Sequence, residues 1–354
     1  MRSLDHTTLP AELTDPKITN FLTAIHEYRG RQELLLTAKP AALESLVDVA
    51  RIQSTDASNR IEGISTSGTR LGQIVRGASE PTNRDEAQIA GYRDVLATIH
   101  QSYEHMPVTP SLILQLHRDL YRHTATSHAG AWKGVDNQIV EVAEDGTRRV
   151  RFTPVPAIAT PQAMADLCQS LAQATQRADY DPLLALCLFV FDLTCIHPFT
   201  DGNGRMSRLL TLLVLYQQNY LVGRYVSIEA AIERTKETYY EALAASSEGW
   251  DEGRNTYAPF ASYLLGVILG CYRDFEARVG SLTAARPRMS KPQRIEELLQ
   301  RSAGKVTKAD ILWQLPDISA TTAERALADL LSRGVIRKVG GGRSTGYVWV
   351  EYDS

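Results

Sequence analysis

Residues 183–217 read LLALCLFVFDLTCIHPFTDGNGRMSRLLTLLVLYQ, two apolar segments with a polar run between them. Its two outer segments, Leu183–Phe191 and Met206–Gln217, are apolar on nearly every side. A helix that is apolar all round has no face for solvent, so it lies at the centre of a bundle. The stretch therefore predicts two buried helices with a polar, glycine-rich loop between them.

The loop combines groups that suit a polyphosphate. Pro198 disfavours helical backbone at His197, so we expect the first helix to end there and to present the imidazole at its terminus. The glycines on both sides of Asn203 let backbone N–H groups turn inward as a nest, and the positive end of the next helix points at the same spot. Arg205 and Arg208 are three residues apart and share one helix face, which adds two cations. These features predict a phosphate-binding cradle.

Two side chains at the rim of this cradle suit chemistry on a bound nucleotide. Asp201 suits a magnesium ligand, because Mg²⁺ bridges phosphate oxygens and needs few protein ligands. Among the side chains of the loop, His197 alone can accept a proton near neutral pH. A turn at a helix end would explain any one of these residues, but the whole run has no packing rationale between two hydrophobic helices. The loop is therefore predicted to be a catalytic site.

The run from His197 to Arg208, HPFTDGNGRMSR, matches the signature of the Fic family of AMP-transferring enzymes at every defined position, and the chain resembles that family over roughly residues 40–280. The resemblance implies transfer of AMP from ATP to a Ser, Thr or Tyr hydroxyl of a target protein, or of the enzyme itself, with release of pyrophosphate. It implies that His197 is the catalytic base and that Asp201 holds Mg²⁺. It also implies nucleotide contacts: Asn203 and the backbone of Gly202 and Gly204 at the α-phosphate, Arg205 at the β-phosphate and Arg208 at the γ-phosphate.

Two further features of the family bear on the nucleotide. Glycine at position 204 favours AMP transfer, because the kinase-like branch of the family carries a lysine there. Tyr239 and Tyr240 resemble a segment in which a tyrosine borders the nucleotide; the alternative is that both rings only pack a helix. Transfer of another nucleotide such as UMP stays open, since a phosphate cradle barely distinguishes the base.

An upstream segment resembles the inhibitory motif of the family. It comprises residues 58–63, with Ser58, Glu62 and Gly63 at its defined positions. The resemblance implies that Glu62 pairs with Arg208 and displaces the γ-phosphate, so that the resting enzyme is auto-inhibited. In some relatives the same glutamate activates water to remove AMP, and this alternative stays open.

The chain changes character between the helical patterns. Gln138–Val142 and Arg149–Phe152 alternate in polarity on the two sides of Asp145-Gly146, a pattern typical of a β-hairpin. The hairpin stands where the family has its target-positioning flap, here residues 137–153. Such a flap would hold a target strand through main-chain hydrogen bonds.

The remaining patterns complete the predicted architecture: an all-α protein with a Fic-type helical bundle, the small β-hairpin flap and a C-terminal winged helix-turn-helix domain. We predict an N-terminal helical region at 1–105, a catalytic core at 106–280, a linker at 281–291 and the winged helix at 292–354. Further helices of the bundle are predicted at Ile18–Tyr28, Ala41–Ile52, Asn83–Tyr103, Thr109–Tyr121, Pro161–Arg177, Ile228–Ala244 and Tyr257–Arg278. The C-terminal elements are predicted at Gln293–Arg301, Thr307–Leu315, Ser319–Arg333, Val335–Lys338 and Tyr347–Val350.

The C-terminal region raises an alternative function, a DNA-binding regulator with a Fic-like sensor domain. From Arg286 onward the chain carries 12 Lys and Arg against 8 Asp and Glu, whereas the first 285 residues carry 26 against 33. Residues 319–343 would contact DNA, with Thr321, Thr322 and Arg325 near base edges and Arg337, Lys338 and Arg343 near phosphates. DNA binding is not favoured, because the expected exposed face of the recognition helix is poor in basic residues: Ala320, Ala323, Glu324 and Ala328.

Bulk properties indicate a soluble protein. The 354 residues are 44% apolar and 22% charged, with a net charge of −3, which is ordinary for globular domains. The four cysteines lack metal-ligand spacing and are expected to be reduced core residues. No signal peptide or long apolar run is visible, so we expect a cytoplasmic protein without a membrane segment. Export to a host without a visible signal, and homodimerisation, stay open.

Overall fold

The computed structural model describes residues 4, 6, 8–38, 40–142, 148–177, 180–283, 290–302, 305–315, 317–341 and 345–350. The chain divides into two compact units, residues 1–281 and 282–354, each with a hydrophobic core of its own. The predicted turn at Asp145-Gly146, the wing residue Arg343 and most of the linker 281–291 lie outside the described residues.

The first unit is a helical bundle with one β-hairpin. The hairpin consists of β1 (Ile139–Val142) and β2 (Arg148–Phe152). The helices, which confirm the predicted all-α class, are α1 (Pro16–Ala38), α2 (Pro40–Ile61), α3 (Gly68–Val75), α4 (Arg84–Ser102), α5 (Pro110–Leu120), α6 (Thr160–Arg177), α7 (Pro182–Ile196), α8 (Asn203–Gln217), α9 (Ile228–Arg234), α10 (Lys236–Ser247) and α11 (Ala258–Thr283).

Helices α7 and α8 form the centre of the bundle, as their all-round apolar sequences predict. Asp181 caps the start of α7 by accepting a hydrogen bond from the Leu183 N–H at 2.9 Å, and proline at the first helical position fits the same start. Every residue of α7 from Leu183 to Ile196 is buried except Thr194. The two helices therefore hold the loop between them on a rigid base.

Helix α2 is longer than the predicted Ala41–Ile52, and the reason lies in its buried polar side chains. Beyond Ile52 its buried face is mostly polar, with Ser54, Thr55, Ser58 and Asn59 beside the apolar Ala57 and Ile61, so the apolar period is weak. Ser54 donates a 2.7 Å hydrogen bond to the buried carboxylate of Glu229 on α9. This polar contact supports the helix up to Ile61, so that Ser58 lies on its last turn and Glu62 and Gly63 follow directly after it.

Three other predictions of helix extent were wrong. Helix α1 continues to Ala38, well past the predicted end at Tyr28, and α3 was not predicted. The predicted single helix Ile228–Ala244 is two helices, because the backbone at Thr235 leaves helical geometry with φ −116° and ψ 32°. The Thr235 hydroxyl is 2.7 Å from the hydroxyl of Tyr263, which supports the break.

The hairpin contains a β-bulge. Ile139 lies opposite Phe152 and Val140 lies opposite Val150, so one step along β1 matches two steps along β2. Arg151 is therefore the extra residue of the bulge. Val140 and Val150 are 44% and 46% exposed, which leaves an apolar pair on the outer face of the hairpin.

The second unit combines three helices with a three-stranded antiparallel sheet in the order β3-β5-β4. The elements follow the predicted order with the addition of the short β3, and the winged helix-turn-helix assignment stays a prediction. They are α12 (Lys291–Arg301), β3 (Val306–Thr307), α13 (Lys308–Gln314), α14 (Ala320–Ser332), β4 (Ile336–Val339) and β5 (Gly346–Trp349).

The surface of α14 differs from prediction at one position. Ala323 is fully buried, because it shares a helical face with the core residues Leu327 and Leu330. The other three small or acidic positions are exposed, as are the basic side chains of Arg325, Arg337 and Lys338.

Two findings concern the predictions about the cysteines and about a membrane segment. All four cysteines are buried and free of disulfide bonds. Among the described residues, no helix is both long enough and apolar enough to cross a membrane.

Candidate active site

The loop from His197 to Asn203 is closed by its own asparagine. Asn203 Oδ1 accepts a hydrogen bond from the Phe199 N–H at 2.9 Å, and its Nδ2 donates to the Phe199 carbonyl at 2.8 Å. Phe199 is fully buried and stacks on His117 with ring centroids 3.8 Å apart. The Asn203 side chain is thus engaged within the loop, and its contact with an α-phosphate stays a prediction.

His117, on α5, supports the loop from below. Its Nδ1 accepts the N–H of Gly130 at 3.0 Å, so the ring proton resides on Nε2, which donates to the Asp201 carbonyl at 3.1 Å. Burial lowers the pKa of His117 to about 4, which keeps the ring neutral at pH 7. The sequence carried a signal for this residue, because His117 falls on the apolar stripe of α5 with Ile113, Leu116 and Leu120.

Lys133 is a second residue that the sequence analysis missed, and it holds the backbone on both sides of His197. Its buried Nζ donates to the Ile196 carbonyl at 3.0 Å and to Asn137 Oδ1 at 2.9 Å. Its backbone N–H donates to the Pro198 carbonyl at 2.9 Å. Burial lowers the pKa of Lys133 to about 8. No periodicity marks this position, since it precedes the hairpin in an irregular segment.

His197 sits at the end of α7 in the left-handed conformation, with φ 50° and ψ 61°. This conformation is uncommon for a residue with a side chain and is often kept for function. Burial lowers the pKa of His197 to about 4, and the positive charge of Lys133 acts in the same direction. At neutral pH the imidazole is therefore uncharged and can accept a proton.

Asp201 is an ionised carboxylate with room for a ligand. Burial alone would raise its pKa, but a hydrogen bond from Tyr121, the charge of Arg205 and the N–H of Gly202 outweigh burial and lower it. The side chain is 48% exposed. No group of three or more His, Cys, Asp or Glu side chains in the described residues could hold a metal. A single carboxylate nevertheless fits Mg²⁺, which takes its other ligands from phosphates and water.

Arg205 is buried with donors to spare. Its Nη2 donates to the Tyr121 hydroxyl at 2.8 Å, while Nε and Nη1 are buried without a partner among the described residues. Unpaired buried donors on a charged group are costly, so they mark a place for an anion. Gly202 precedes α8 with φ 83°, and a Cβ there would come 2.9 Å from the Tyr121 hydroxyl. Glycine thus lets the loop approach Tyr121 and Arg205.

Arg208 contacts the motif at 58–63. Its Nη2 donates to Glu62 Oε1 at 2.7 Å and to the Ser58 carbonyl at 2.9 Å, and its Nε donates to the Ser58 hydroxyl at 2.8 Å. The contact between Glu62 and Arg208 that the resemblance implies is thus present, and its inhibitory role stays a prediction. Gly63 follows with φ 78°, which turns the chain away.

Glycine at position 204 is required by this contact. A Cβ at Gly204 would collide with Glu62 Oε1 and would crowd Arg208 Nη1 at 3.2 Å. The carboxylate therefore lies directly against the backbone at the start of α8. The contact between Glu62 and Arg208 therefore depends on the absence of a side chain at position 204.

One cavity brings together part of the predicted site, whereas Asp201, Gly202 and Arg205 are not among its lining residues. It is lined by His197, Asn203, Gly204, Arg208 and Glu62, by Tyr239 and Tyr240, and by Ile139, Arg151 and Phe152 of the hairpin. Tyr239 is buried and Tyr240 is 37% exposed. Their roles in binding a nucleotide stay predictions. Arg151 was missed by the sequence analysis, because alternation along β2 gave no sign of the bulge.

The comparison with known families bears directly on the loop. Residues 107–215 match the model of the Fic/DOC family. The chain contains a Fic domain. The resemblance drawn from HPFTDGNGRMSR is thereby confirmed. The matched segment includes the hairpin and the loop, whereas Glu62, Tyr239 and Tyr240 lie outside it.

Curated relatives match part of the chain. A region of 148 residues is 26% identical to protein adenylyltransferase fic-1 of Caenorhabditis briggsae and, at the same identity and length, to fic-1 of Caenorhabditis elegans. The region is 42% of this chain and 26% of each relative, so the chain spans about a quarter of the length of these proteins. A Fido domain-containing protein of Dictyostelium discoideum is 28% identical over 108 residues, which are 30% of this chain and 68% of that protein.

Solved structures show the same fold. A Fic family protein from Desulfovibrio desulfuricans superposes with a TM-score of 0.60 at 21% identity, over 96% of this chain and 98% of that one. Fic-1 of Caenorhabditis elegans superposes with a TM-score of 0.59 at 18% identity, over 75% of this chain and 73% of that one.

Proposed function

We propose that this protein is an auto-inhibited adenylyltransferase that moves AMP from ATP to a Ser, Thr or Tyr hydroxyl of a target protein or of itself. The observation that carries the proposal is one cavity that joins a neutral imidazole to the start of a helix and a buried arginine, at His197, Gly204 and Arg208. A proton acceptor beside a polyphosphate cradle is what transfer of a nucleotide to a hydroxyl requires.

The triphosphate binds at the start of α8. The helix N-terminus and the nest around Gly202 supply backbone N–H groups, and the free donors of Arg205 supply charge-assisted hydrogen bonds. The half-exposed carboxylate of Asp201 would hold Mg²⁺, which would neutralise phosphate charge. The preorganised donors favour the charge that develops on the α-phosphate.

The transfer step uses His197 as a general base. The imidazole takes the proton of the incoming hydroxyl as that oxygen bonds to the α-phosphorus. The bond from the α-phosphorus to its bridging oxygen breaks, and pyrophosphate leaves with the electron pair. The low pKa of His197 keeps its imidazole unprotonated in the free enzyme. The negative charge of a bound triphosphate then raises the affinity of the imidazole for a proton.

Glu62 restrains this reaction in the resting protein. Its carboxylate occupies Nη2 of Arg208, the side of the guanidinium that the γ-phosphate needs. An ATP molecule that meets this pair binds with its phosphates displaced, and its α-phosphorus lies out of line with the attacking oxygen. Removal of Glu62 frees Arg208, which Ser58 continues to hold in place.

The hairpin at 137–153 positions the target. A two-stranded hairpin leaves main-chain donors and acceptors free on its outer edges, so an extended target segment can add to it as a strand. The exposed Val140 and Val150 offer apolar contact to such a segment. Main-chain pairing makes little demand on the sequence of the target.

Labelling with ATP tests the proposal. Wild type, Glu62→Gly and His197→Ala are incubated in a cell lysate with ATP labelled on the α-phosphate, followed by mass spectrometry of labelled proteins. We expect strong labelling with Glu62→Gly, weak labelling with wild type and none with His197→Ala. A mass increment of phosphate in place of AMP on the modified protein, or labelling that persists in His197→Ala, would contradict AMP transfer by this site.

A further inference from the structure

Arg151 enters the cavity because of the β-bulge. Successive residues of a regular strand point to opposite faces, yet Arg151 and Phe152 both line the cavity together with Ile139. The bulge at Arg151 removes the alternation at this point and turns the side chain inward. Bulges commonly re-aim a side chain next to a functional site. The hairpin thus places the positively charged guanidinium of Arg151 in the cavity proposed to bind the nucleotide.

The guanidinium of Arg151 has unused hydrogen-bonding capacity there. Its Nε is buried and has no partner among the described residues. The other cavity arginine, Arg208, is paired with Glu62. Within the described part of the chain, Arg151 therefore brings to this cavity a positive charge that no carboxylate is shown to neutralise.

We propose that Arg151 is a flap-borne phosphate ligand that binds the triphosphate of the nucleotide in the cavity shared with Arg208. The proposal rests on the nucleotide-binding function proposed above. A guanidinium offers forked donors that match two phosphate oxygens, so one well-placed arginine adds both affinity and orientation. Because Arg151 belongs to the hairpin, binding of the nucleotide also fixes the strand that receives the target.

An acidic side chain on the target is the competing ligand for Arg151. The direction of the side chain favours phosphate. Arg151 faces inward, toward the cavity that holds His197 and the start of α8, whereas the pair Val140 and Val150 forms the exposed face of the hairpin. The unpaired Nε therefore lies on the face of the hairpin that borders the cavity, where the nucleotide is proposed to bind.

Calorimetric titration in the absence of any target separates these ligands. The parent protein carries His197→Ala and Glu62→Gly, so that it binds without turnover. Arg151→Leu and Arg151→Lys are added to it, and each protein is titrated with ATP and with adenosine. Arg273→Leu, an exposed arginine of α11, is the matched control for loss of one charge.

We expect Arg151→Leu to weaken ATP binding about tenfold or more, the factor for one lost charge-assisted hydrogen bond. Arg151→Lys should recover part of the loss, and the affinity for adenosine should stay at the parental value. Equal losses for ATP and adenosine, or an ATP affinity that Arg151→Leu leaves unchanged, would overturn the assignment. A parent that binds no ATP would instead defeat the proposed function, and this assignment with it.

Discussion

Replacement of Glu62 by glycine tests the resting state of this Fic domain. The substitution removes the 2.7 Å bond to Arg208 and leaves the two bonds that Ser58 makes to the same guanidinium. A charge-assisted hydrogen bond contributes about 1.5–3 kcal/mol. Glu62 is 33% exposed, so solvent screening places its contribution near the lower end, at about 1.5 kcal/mol.

In the proposed function the Glu62 carboxylate and a phosphate of ATP compete for Arg208, and this free energy is what Glu62 contributes to that competition. Since 1.4 kcal/mol corresponds to a factor of ten, the loss of Glu62 should improve productive ATP binding about tenfold. The initial rate of AMP transfer should rise by at least that factor at an ATP concentration below KM. Glu62→Gln, which keeps the size and loses the charge, should give a smaller rise.

The assay is the initial rate of incorporation from α-labelled ATP over a range of ATP concentrations. Glu44→Gln is the matched control, because Glu44 is exposed and lies near the other end of α2. A rise of less than twofold in Glu62→Gly, or an equal rise in the control, would show that the contact between Glu62 and Arg208 does not restrain the enzyme.

Three further outcomes are expected. The pKa of His197 is about 4, so the acid limb of kcat/KM should lie near pH 4, and Lys133→Met should move it upward because a neighbouring positive charge is lost; a pH–rate profile checks both. Asp192→Ala should lower the free energy of unfolding by about 3–5 kcal/mol in urea titrations, because the fully buried Asp192 accepts hydrogen bonds from Trp250 and Tyr257 and pairs with His6. Asp48→Ala, at an exposed position, should change it little. The buried His100, His117 and His197 have lowered pKa values, so between pH 6.5 and about 4 they bind protons in the unfolded chain and stay neutral in the folded protein. As the pH is lowered through this range, the free energy of unfolding should therefore decrease by up to about 1.4 kcal/mol per pH unit for each histidine. A free energy of unfolding that does not change with pH would contradict the lowered pKa values.

The fold and the loop were predictable because their causes are local. Apolar residues on every side of α7 and α8 have one physical solution, burial, and the polar run between them could only be a loop. Proline after His197 and glycines around Asn203 then dictate where the two helices end and begin. The structure of such a contiguous segment can therefore be predicted without knowledge of the rest of the chain.

The other residues of the site depend on contacts between distant segments. Lys133 and Arg151 lie near each other in sequence but reach the site through an irregular segment and a bulge, neither of which has a periodic signal. The continuation of α2 to Ile61 depends on Ser54 meeting Glu229, 175 positions away. Buried polar contacts of this kind carry no hydrophobic pattern, so helix ends that rely on them are misjudged from sequence.

The close approach of Glu62 to Gly204 has a consequence for how such proteins diverge. The space that the carboxylate occupies is the space that any Cβ at position 204 would need. Exchange of glycine for a larger residue would therefore alter two properties at once, the shape of the phosphate site and the resting level of activity. Relatives that carry a longer residue at this position should lack a glutamate in contact with the start of this helix. Any inhibition of their resting activity should then depend on a different contact. A comparison of many sequences can test this, because the two positions should vary together although they lie 142 positions apart in the sequence.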